Sequence, residues 1–422
     1  MSFMKKSAAG LVLTASALAA STAFAAGFQL TEQSSLGLGR AYAGAGIVGD
    51  DLSAVHYNPA GMTLLSGTQI QAGTVYIDVD AAYSGNDGSE NNGRMKGQFI
   101  PAGYTTYQVN DKLWLGFAMT VPFGMGTHYG RVWEENTSGT SAKIYTFDMN
   151  PSFAYKVSDF ISIGAGISVQ YAKAHLGQMS NVMGYDVHGK VEGDSWDWGY
   201  NLGIMISPTE TLRFGLAYRS SVEHNAEGHT KFTGPAISAV SHGMLNSLTS
   251  DMKTTIETPA TVMLTGTWEA TPDLRLSGLI RWAEWSNFDT LTLEHDTLTV
   301  PDVGPISLTT KIENKWQDTW LFSVGADYRI NDTWTVRGGI AYETGAVDDE
   351  KYRVAVIPDT DRLWLSLGAS YHWSKQLQFD VAAAMLKGIG NRDLYDYDTK
   401  TKAGEFDNLD CYILGAQMQY RF

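Results

Sequence analysis

Nine histidines and one cysteine are the first residues to weigh for chemistry, and neither set forms a reaction centre. His175, His188, His224, His229 and His242 fall in polar stretches, and none has a spacing that pairs it with a nucleophile or a second metal ligand. Cys411 stands alone, so no intrachain disulfide forms, and no Cys/His cluster has zinc spacing. No catalytic residue, metal or cofactor is expected, and the chain does not read as an enzyme. What remains is a chemistry of contact. Ile237, Val240, Met244, Leu245 and Leu248, with Phe232 just before them, are spaced for one apolar face of a helix inside a polar stretch. Such a stripe on an exposed loop either packs on a neighbouring loop or holds an apolar ligand, and a ligand groove is the expectation.

The elements that must carry this loop follow from the rest of the sequence. Lys5 and Lys6, the apolar run from Ala8 to Ala20 and the pattern Ala23-Phe24-Ala25 form a secretory signal, placing the mature start at Ala26. That signal holds two lysines and no acid, so the net charge of -15 becomes -17 on its removal. An acidic chain without clustered Lys and Arg is excluded as a nucleic-acid binder. Beyond the signal no apolar run is long enough for a membrane helix. Yet 12 Trp, 21 Tyr and 16 Phe stand beside 44 Gly, a heavy load for an ordinary soluble domain. A transmembrane β-barrel resolves the conflict, because lipid-facing apolar residues alternate with polar or small lumen-facing ones and aromatics gather at the interfaces.

The last strand shows the alternation most clearly. Tyr412, Leu414, Ala416, Met418, Tyr420 and Phe422 interleave with Ile413, Gly415, Gln417, Gln419 and Arg421, which places the two sets on opposite faces. The same period runs through 320–329, 334–342 and 362–373. Short breaks at Asn110-Asp111, Ser158-Asp159, Pro208-Thr209, Pro272-Asp273, Asn331-Asp332 and Ser374-Lys375 alternate with longer polar stretches at 79–96, 122–142, 175–193, 222–252, 286–310, 343–360 and 387–408. Thirteen connections imply about fourteen strands with both ends in the periplasm. The domain plan is a signal at 1–25, a leading segment at 26–66 and an all-β antiparallel barrel at 67–422. The leading segment, rich in glycine and poor in charge, is long enough to fold inside the lumen as a plug.

Several motifs in order resemble the FadL family of outer-membrane long-chain fatty-acid transporters. They are Ala26-Gly27-Phe28-Gln29-Leu30, Gly37-Leu38-Gly39-Arg40-Ala41-Tyr42, Asn58-Pro59-Ala60, Val75-Tyr76-Ile77-Asp78, and Ile357-Pro358-Asp359-Thr360-Asp361-Arg362-Leu363-Trp364. The resemblance runs from the mature start to Phe422. It implies a fourteen-stranded barrel with an N-terminal hatch, ligand capture outside, an inner pocket and sideways release through a gap where the third strand kinks. That strand would run from Leu113 to Val121, followed by Pro122-Phe123-Gly124 with Gly124 at the kink. Proline cannot donate to a ladder and glycine relieves a bend, but an ordinary strand end before a loop reads the same way. Asn58, Pro59 and Ala60 would face the gap, and displacement of Phe28 would open the path. The family's third and fourth loops form the outer groove, which maps to the stripe from Phe232 to Leu248. Its luminal cations map near Lys173 and near Lys315, with Gln317 standing where the family has lysine. That departure leaves carboxylate recognition open.

The expected function is passive, ligand-gated import of long-chain fatty acids across the bacterial outer membrane, with no box for coupling to an inner-membrane motor. The alternative on the same fold is import of aromatic or other neutral hydrocarbons. A porin lacks the leading segment, and an adhesin needs no conduit. Expected partners are the hydrophobic ligand, outer-membrane lipid and the barrel assembly machinery, which reads the terminal aromatic-x-Phe422; the barrel is expected to be a monomer.

Overall fold

A computed structural model describes residues 26–86, 90–91, 97–128, 141–182, 185–240, 245–300, 304–306, 309–396 and 399–422. The expected signal at 1–25 lies outside the described residues. Fourteen antiparallel strands close into a barrel. In chain order they are β1 (Thr68–Asp80), β2 (Gln98–Gln108), β3 (Leu113–Thr120 and Gly124–His128), β4 (Ser141–Lys156), β5 (Ile161–Val182), β6 (Tyr185–Ile206) and β7 (Leu212–Arg219 and Val222–Thr233). There follow β8 (Ser247–Thr258 and Thr261–Glu269), β9 (Leu274–Ala283 and Thr290–His295), β10 (Thr309–Glu313 and Thr319–Arg329), β11 (Trp334–Glu343), β12 (Arg362–His372), β13 (Leu377–Gly388) and β14 (Asp410–Arg421). The ring closes where β1 meets β14, in register from Gln69 opposite Arg421 to Asp80 opposite Asp410.

Each strand obeys the period of two. On β12, Leu365 and Leu367 are 52% and 71% exposed, while the interleaved Trp364 is fully buried. On β14, Tyr412, Leu414 and Met418 face out and Ile413, Gln417 and Gln419 face in. An outward apolar band of this kind is stable only against lipid. At the short-turn end, Trp334 lies 4.7 Å from Tyr371, which lies 6.0 Å from Trp373, an amphipathic ring cluster suited to the headgroup level.

The stretches expected to be long loops are partly strand. β5 and β6 pair without a break from Ile161 opposite Ile206 to Val182 opposite Tyr185, across the expected loop at 175–193. β7 and β8 likewise pair from Val222 opposite Thr258 to Thr233 opposite Ser247. Above the lipid both faces of a strand meet water or other loops. The apolar alternation fades there although the ladder continues, so a reading based on hydropathy ends the strand too early.

The leading segment, residues 26–66, is almost wholly buried. It contains short helices at Ser35–Leu38 and Ala54–Tyr57 and a 3-10 turn at Pro59–Leu64. Its neighbours are inward-facing glycines around the wall. A side chain added at Gly116 of β3 would strike Met62, at Gly164 of β5 Pro59, at Gly203 of β6 Asn58, at Gly339 of β11 Arg40, and at Gly415 of β14 Ser35. Glycine at those positions is what lets the segment approach the wall so closely. Buried charge fixes its register. Arg40 pairs with Asp50 at 2.9 Å and with Asp327 of β10 at 3.3 Å, and Arg337 of β11 meets the same Asp327 at 3.0 Å.

Candidate functional site

β3 is interrupted at Val121-Pro122-Phe123. Before the break Thr120 opposes Asp148 of β4, and after it Gly124 opposes Tyr145, so three residues of β3 stand against two of β4. That is a bulge, which bends its strand, and the proline removes one ladder donor at the bend. The consequence lies on the other edge. β2 pairs with β3 only from Gln108 opposite Trp114 to Gly103 opposite Met119, whereas β1 follows β2 out to Gln98. Among the described residues, 98–102 of β2 therefore have no β3 partner.

The leading segment occupies this break from inside. The Leu30 amide donates to Pro122 O at 2.8 Å, and the Gly124 amide donates to Phe28 O at 2.9 Å. Gln33 supplies a side-chain amide in place of a missing strand. Its Nε2 donates to Val121 O at 2.7 Å and its Oε1 accepts from the Val121 amide at 3.2 Å. The Tyr104 hydroxyl of β2 donates to Gln33 O at 2.7 Å. Backbone groups inside a bilayer must be paired internally, and here the pairing comes from a separate segment.

The residue that carries Gly124's bond also fills an aromatic nest. The Phe28 ring is fully buried, 4.7 Å from Trp285, 5.5 Å from Phe288, 6.0 Å from Phe123 and 6.1 Å from Trp316. Gly27 has φ +64°, and a Cβ there would stand 2.6 Å from the Trp316 ring and 2.8 Å from Trp285, so both backbone and space demand glycine. The indole Nε1 atoms of Trp285 and Trp316 are buried without a hydrogen-bond partner among the described residues, and so is Asn314 Nδ2. All three are donors. Beside the nest runs an enclosed cavity of about 50 Å³, bordered by Leu30, Tyr57, Pro122, Phe123, Gln170 and Arg219. It has room for a few waters, far short of the ~300 Å³ or more that ligand pockets usually offer.

Charges anchor the start of the segment to the wall. Asp359, in the connection before β12, accepts from the Gly27 amide at 3.3 Å and pairs with Arg362. Arg281 of β9 donates to Thr31 Oγ1 at 2.7 Å and bridges to Glu343 of β11 at 2.9 Å. Glu32 sits beside this cluster, fully buried, with Oε2 unpartnered among the described residues. Burial, and then the nearby Glu343, push its carboxyl up from 4.5 to about 8, against the pull of Arg281 and Arg362.

Of the site residues expected from sequence, Phe28, Pro122 and Gly124 come together at the break. Asn58, Pro59 and Ala60 do not face it, which corrects the expectation. Asn58 Nδ2 donates to Ile204 O of β6 at 3.2 Å, and Pro59 packs at Gly164 of β5. The luminal cations need correction as well. β5 alternates without a bulge and its even residues face in, so Lys173 stands on the outer face, opposite Tyr145 and Asp194. Lys315 is exposed and donates to the Tyr352 hydroxyl at 2.9 Å. Gln317 is exposed too, donating to Gly345 O at 3.2 Å. Trp316, between them, is the side chain that points to the nest.

In the fourth loop, Ile237 is buried against Val187 of β6, with Phe232, Leu245 and Leu248 packed around the pair. Ile237 lies on the helix Pro235–Val240. Met244 and the side chain of Val240 lie outside the described residues. Sequence reasoning missed Trp285, Phe288, Gln33 and Asp359. A signal for the first two was present in Trp285-Ser286-Asn287-Phe288, where a strand that had alternated regularly ends on two rings one turn apart.

Comparison with known proteins agrees with this architecture. Residues 16–422 match the family model described as Outer membrane protein transport protein (OMPP1/FadL/TodX). The chain is 28% identical to the Long-chain fatty acid transport protein of Salmonella typhi, over 96% of each. The crystal structure of a Pseudomonas aeruginosa FadL homologue is similar in fold, with TM-score 0.82 at 24% identity over 94% of this chain and all, 100%, of that one. The Pseudomonas putida toluene transporter TodX is similar with TM-score 0.73 at 16% identity, over 94% of this chain and 100% of that one. A barrel with an outward apolar band, matched along nearly its whole length, makes this chain a member of the OMPP1/FadL/TodX family of bacterial outer-membrane transporters of hydrophobic molecules, not an enzyme.

Proposed function

We propose that this barrel imports long-chain fatty acids by passive, ligand-gated diffusion, with the leading segment as its hatch and the break in β3 as the sideways exit. One observation carries the reading: Phe28 fills the nest with its side chain and holds the break with its carbonyl. A ligand that takes the ring's place must move Phe28, and moving Phe28 uncouples Gly124. Occupancy and opening are then one event. The unpartnered donors at Trp285, Trp316 and Asn314 favour a ligand that brings an acceptor, and a carboxylate is the strongest. The printed name of the Salmonella relative points the same way. Capture outside is assigned to the fourth-loop cluster around Ile237, which parts to admit the acyl chain. A second reading, neutral aromatic hydrocarbons, is favoured by the four rings around Phe28 and by the absence of lysine among the described residues of the nest.

The test is binding to the barrel in lipid nanodiscs, using a long-chain fatty acid and toluene in parallel. Trp285→Phe with Trp316→Phe keeps the rings and removes two of the three donors, leaving Asn314. Saturable fatty-acid binding weakened about tenfold in the double variant supports the acid. Saturable toluene binding with no response to the fatty acid transfers the function to hydrocarbons.

A further inference from the structure

A second polar set faces inward where β5, β6 and β7 adjoin. Gln170 of β5 is 1% exposed and borders the cavity beside Pro122 and Phe123. Its amide orientation is fixed by a chain of bonds. Ser168 Oγ donates to Asp148 Oδ1 at 2.5 Å and so accepts from Gln170 Nε2 at 3.1 Å. Gln170 Oε1 is then an acceptor, and it has no partner among the described residues. Opposite Gln170 on β6 is Asp197, and His224 of β7, 2% exposed, places Nδ1 3.2 Å from Asp197 Oδ2. A carboxylate accepts, so Nδ1 carries the proton and the neutral ring presents Nε2 as a lone pair. That atom is unpartnered as well. Ser195, two residues along the inner face of β6, buries its Oγ without a partner among the described residues. Arg219, a cation lining the same cavity, is committed to Asp148 at 3.4 Å and to His56 O at 2.9 Å.

Two buried acceptors and a hydroxyl without partners form an incomplete site, because each unmet group carries a desolvation cost. Asp197 makes the site negative, so it repels carboxylate and accepts only a donor. We propose that this shelf is a binding site for a neutral hydrogen-bond-donating group, a hydroxyl, carried on the hydrophobic ligand as it passes the cavity. The inference rests on the transport reading above and adds a selectivity to it. The donor-rich nest takes the acid end, and the acceptor-rich shelf recognises oxygenation along the chain. Neither His224 nor Ser195 borders the cavity or belongs to the hatch or the break, so replacing them leaves the gate intact.

The experiment compares binding, in nanodiscs, of a fatty acid with monohydroxylated acids of the same length that differ in hydroxyl position. At least one hydroxylated acid is expected to bind the unmodified barrel about tenfold more tightly than the parent. His224→Phe and Ser195→Ala, on separate strands, should each erase that preference and leave the parent acid's affinity unchanged. Correct assembly of each variant is verified by resistance of the barrel to dodecyl sulfate at room temperature. The proposal is overturned if the unmodified barrel binds all the acids equally, as it would with only a buried water on the shelf. A preference that survives both substitutions overturns it too. Failure of every acid, parent included, to bind the unmodified barrel overturns the fatty-acid reading itself, a separate outcome.

Discussion

Replacing Phe28 by alanine tests whether the ring holds the ligand's place. The ring touches four aromatic neighbours at centroid distances from 4.7 to 6.1 Å and has no exposed surface. Truncating a phenylalanine so buried costs ~3–5 kcal/mol, part transfer and part cavity. In the intact protein a ligand entering the nest must first displace that ring and forfeits much of the same energy. In Phe28→Ala the displacement is already made, and the free volume beside Pro122 and Phe123 joins the space the ring has left. Full recovery of the cost would tighten binding by ~10²–10⁴-fold. Some of the displaced ring's burial is regained elsewhere in the native process, so at least tenfold is expected. The assay is titration of a fluorescent long-chain fatty acid into nanodisc-embedded barrels, with Phe28→Leu expected between the two. Amide exchange at Gly124 should rise in parallel, since its acceptor is the carbonyl of the residue altered. Unchanged or weaker binding by a correctly assembled Phe28→Ala barrel would refute the reasoning, because the ring would then not stand where the ligand goes.

Other expectations follow from the same geometry. Gly27→Ala places a methyl into Trp316 and Trp285 at a positive φ, so it should lift the start of the hatch and raise basal leakage of a hydrophobic dye, while the barrel's melting temperature stays unchanged. Gln33→Ala strips both peptide groups of Val121, a loss of ~1–3 kcal/mol for each group left unpaired, and should accelerate amide exchange at Val121 while β8 and β9 stay protected. The raised carboxyl of Glu32, facing Glu343, Arg281 and Arg362, gives docking of the hatch a pH dependence. A carboxyl raised by docking holds its proton more tightly when docked. Its contribution is therefore complete below about 4.5 and is lost as pH rises through about 8. Amide exchange of residues 28–33 should quicken over that window, and Glu32→Gln should flatten the profile. Gly124→Val is expected to crowd the bend and reduce fatty-acid uptake with assembly intact; normal uptake would remove the break from the exit route.

The membrane-embedded half of the molecule was legible because lipid enforces a strict period of two. Leu363, Leu365 and Leu367 against Trp364 and Ser366 admit one reading, and so do the six short turns. The upper walls were not legible, since Glu192, Lys190 and their neighbours meet water or loops on both faces and the period carries no information. Lys173 was misplaced for want of parity. Counting by twos from Ser168 and Gln170, which face in, sends Lys173 outward. Trp316 was passed over in favour of the polar residues on either side, Lys315 and Gln317, although both of these are exposed and the aromatic between them is buried. Gln33 left no trace of its own, because a glutamine that mimics a peptide group is recognised only once the missing strand is known.

The break in β3 also sets how the wall carries load. Below the pair Gly103 and Met119 the hoop is unbroken, and the seam between β1 and β14 is laced over its whole length. Above that pair the hoop is slit. Gln33 is the cross-tie, holding Val121 of β3 with its side chain and receiving Tyr104 of β2 on its carbonyl. A tube slit from one rim is stiff at its base and compliant at its mouth. Lateral load on the upper wall is therefore expected to pass from β3 to β2 through the leading segment, whose Phe28, Leu30 and Gln33 hold β3 and whose Gln33 also receives Tyr104, while the fully paired lower rim keeps its shape.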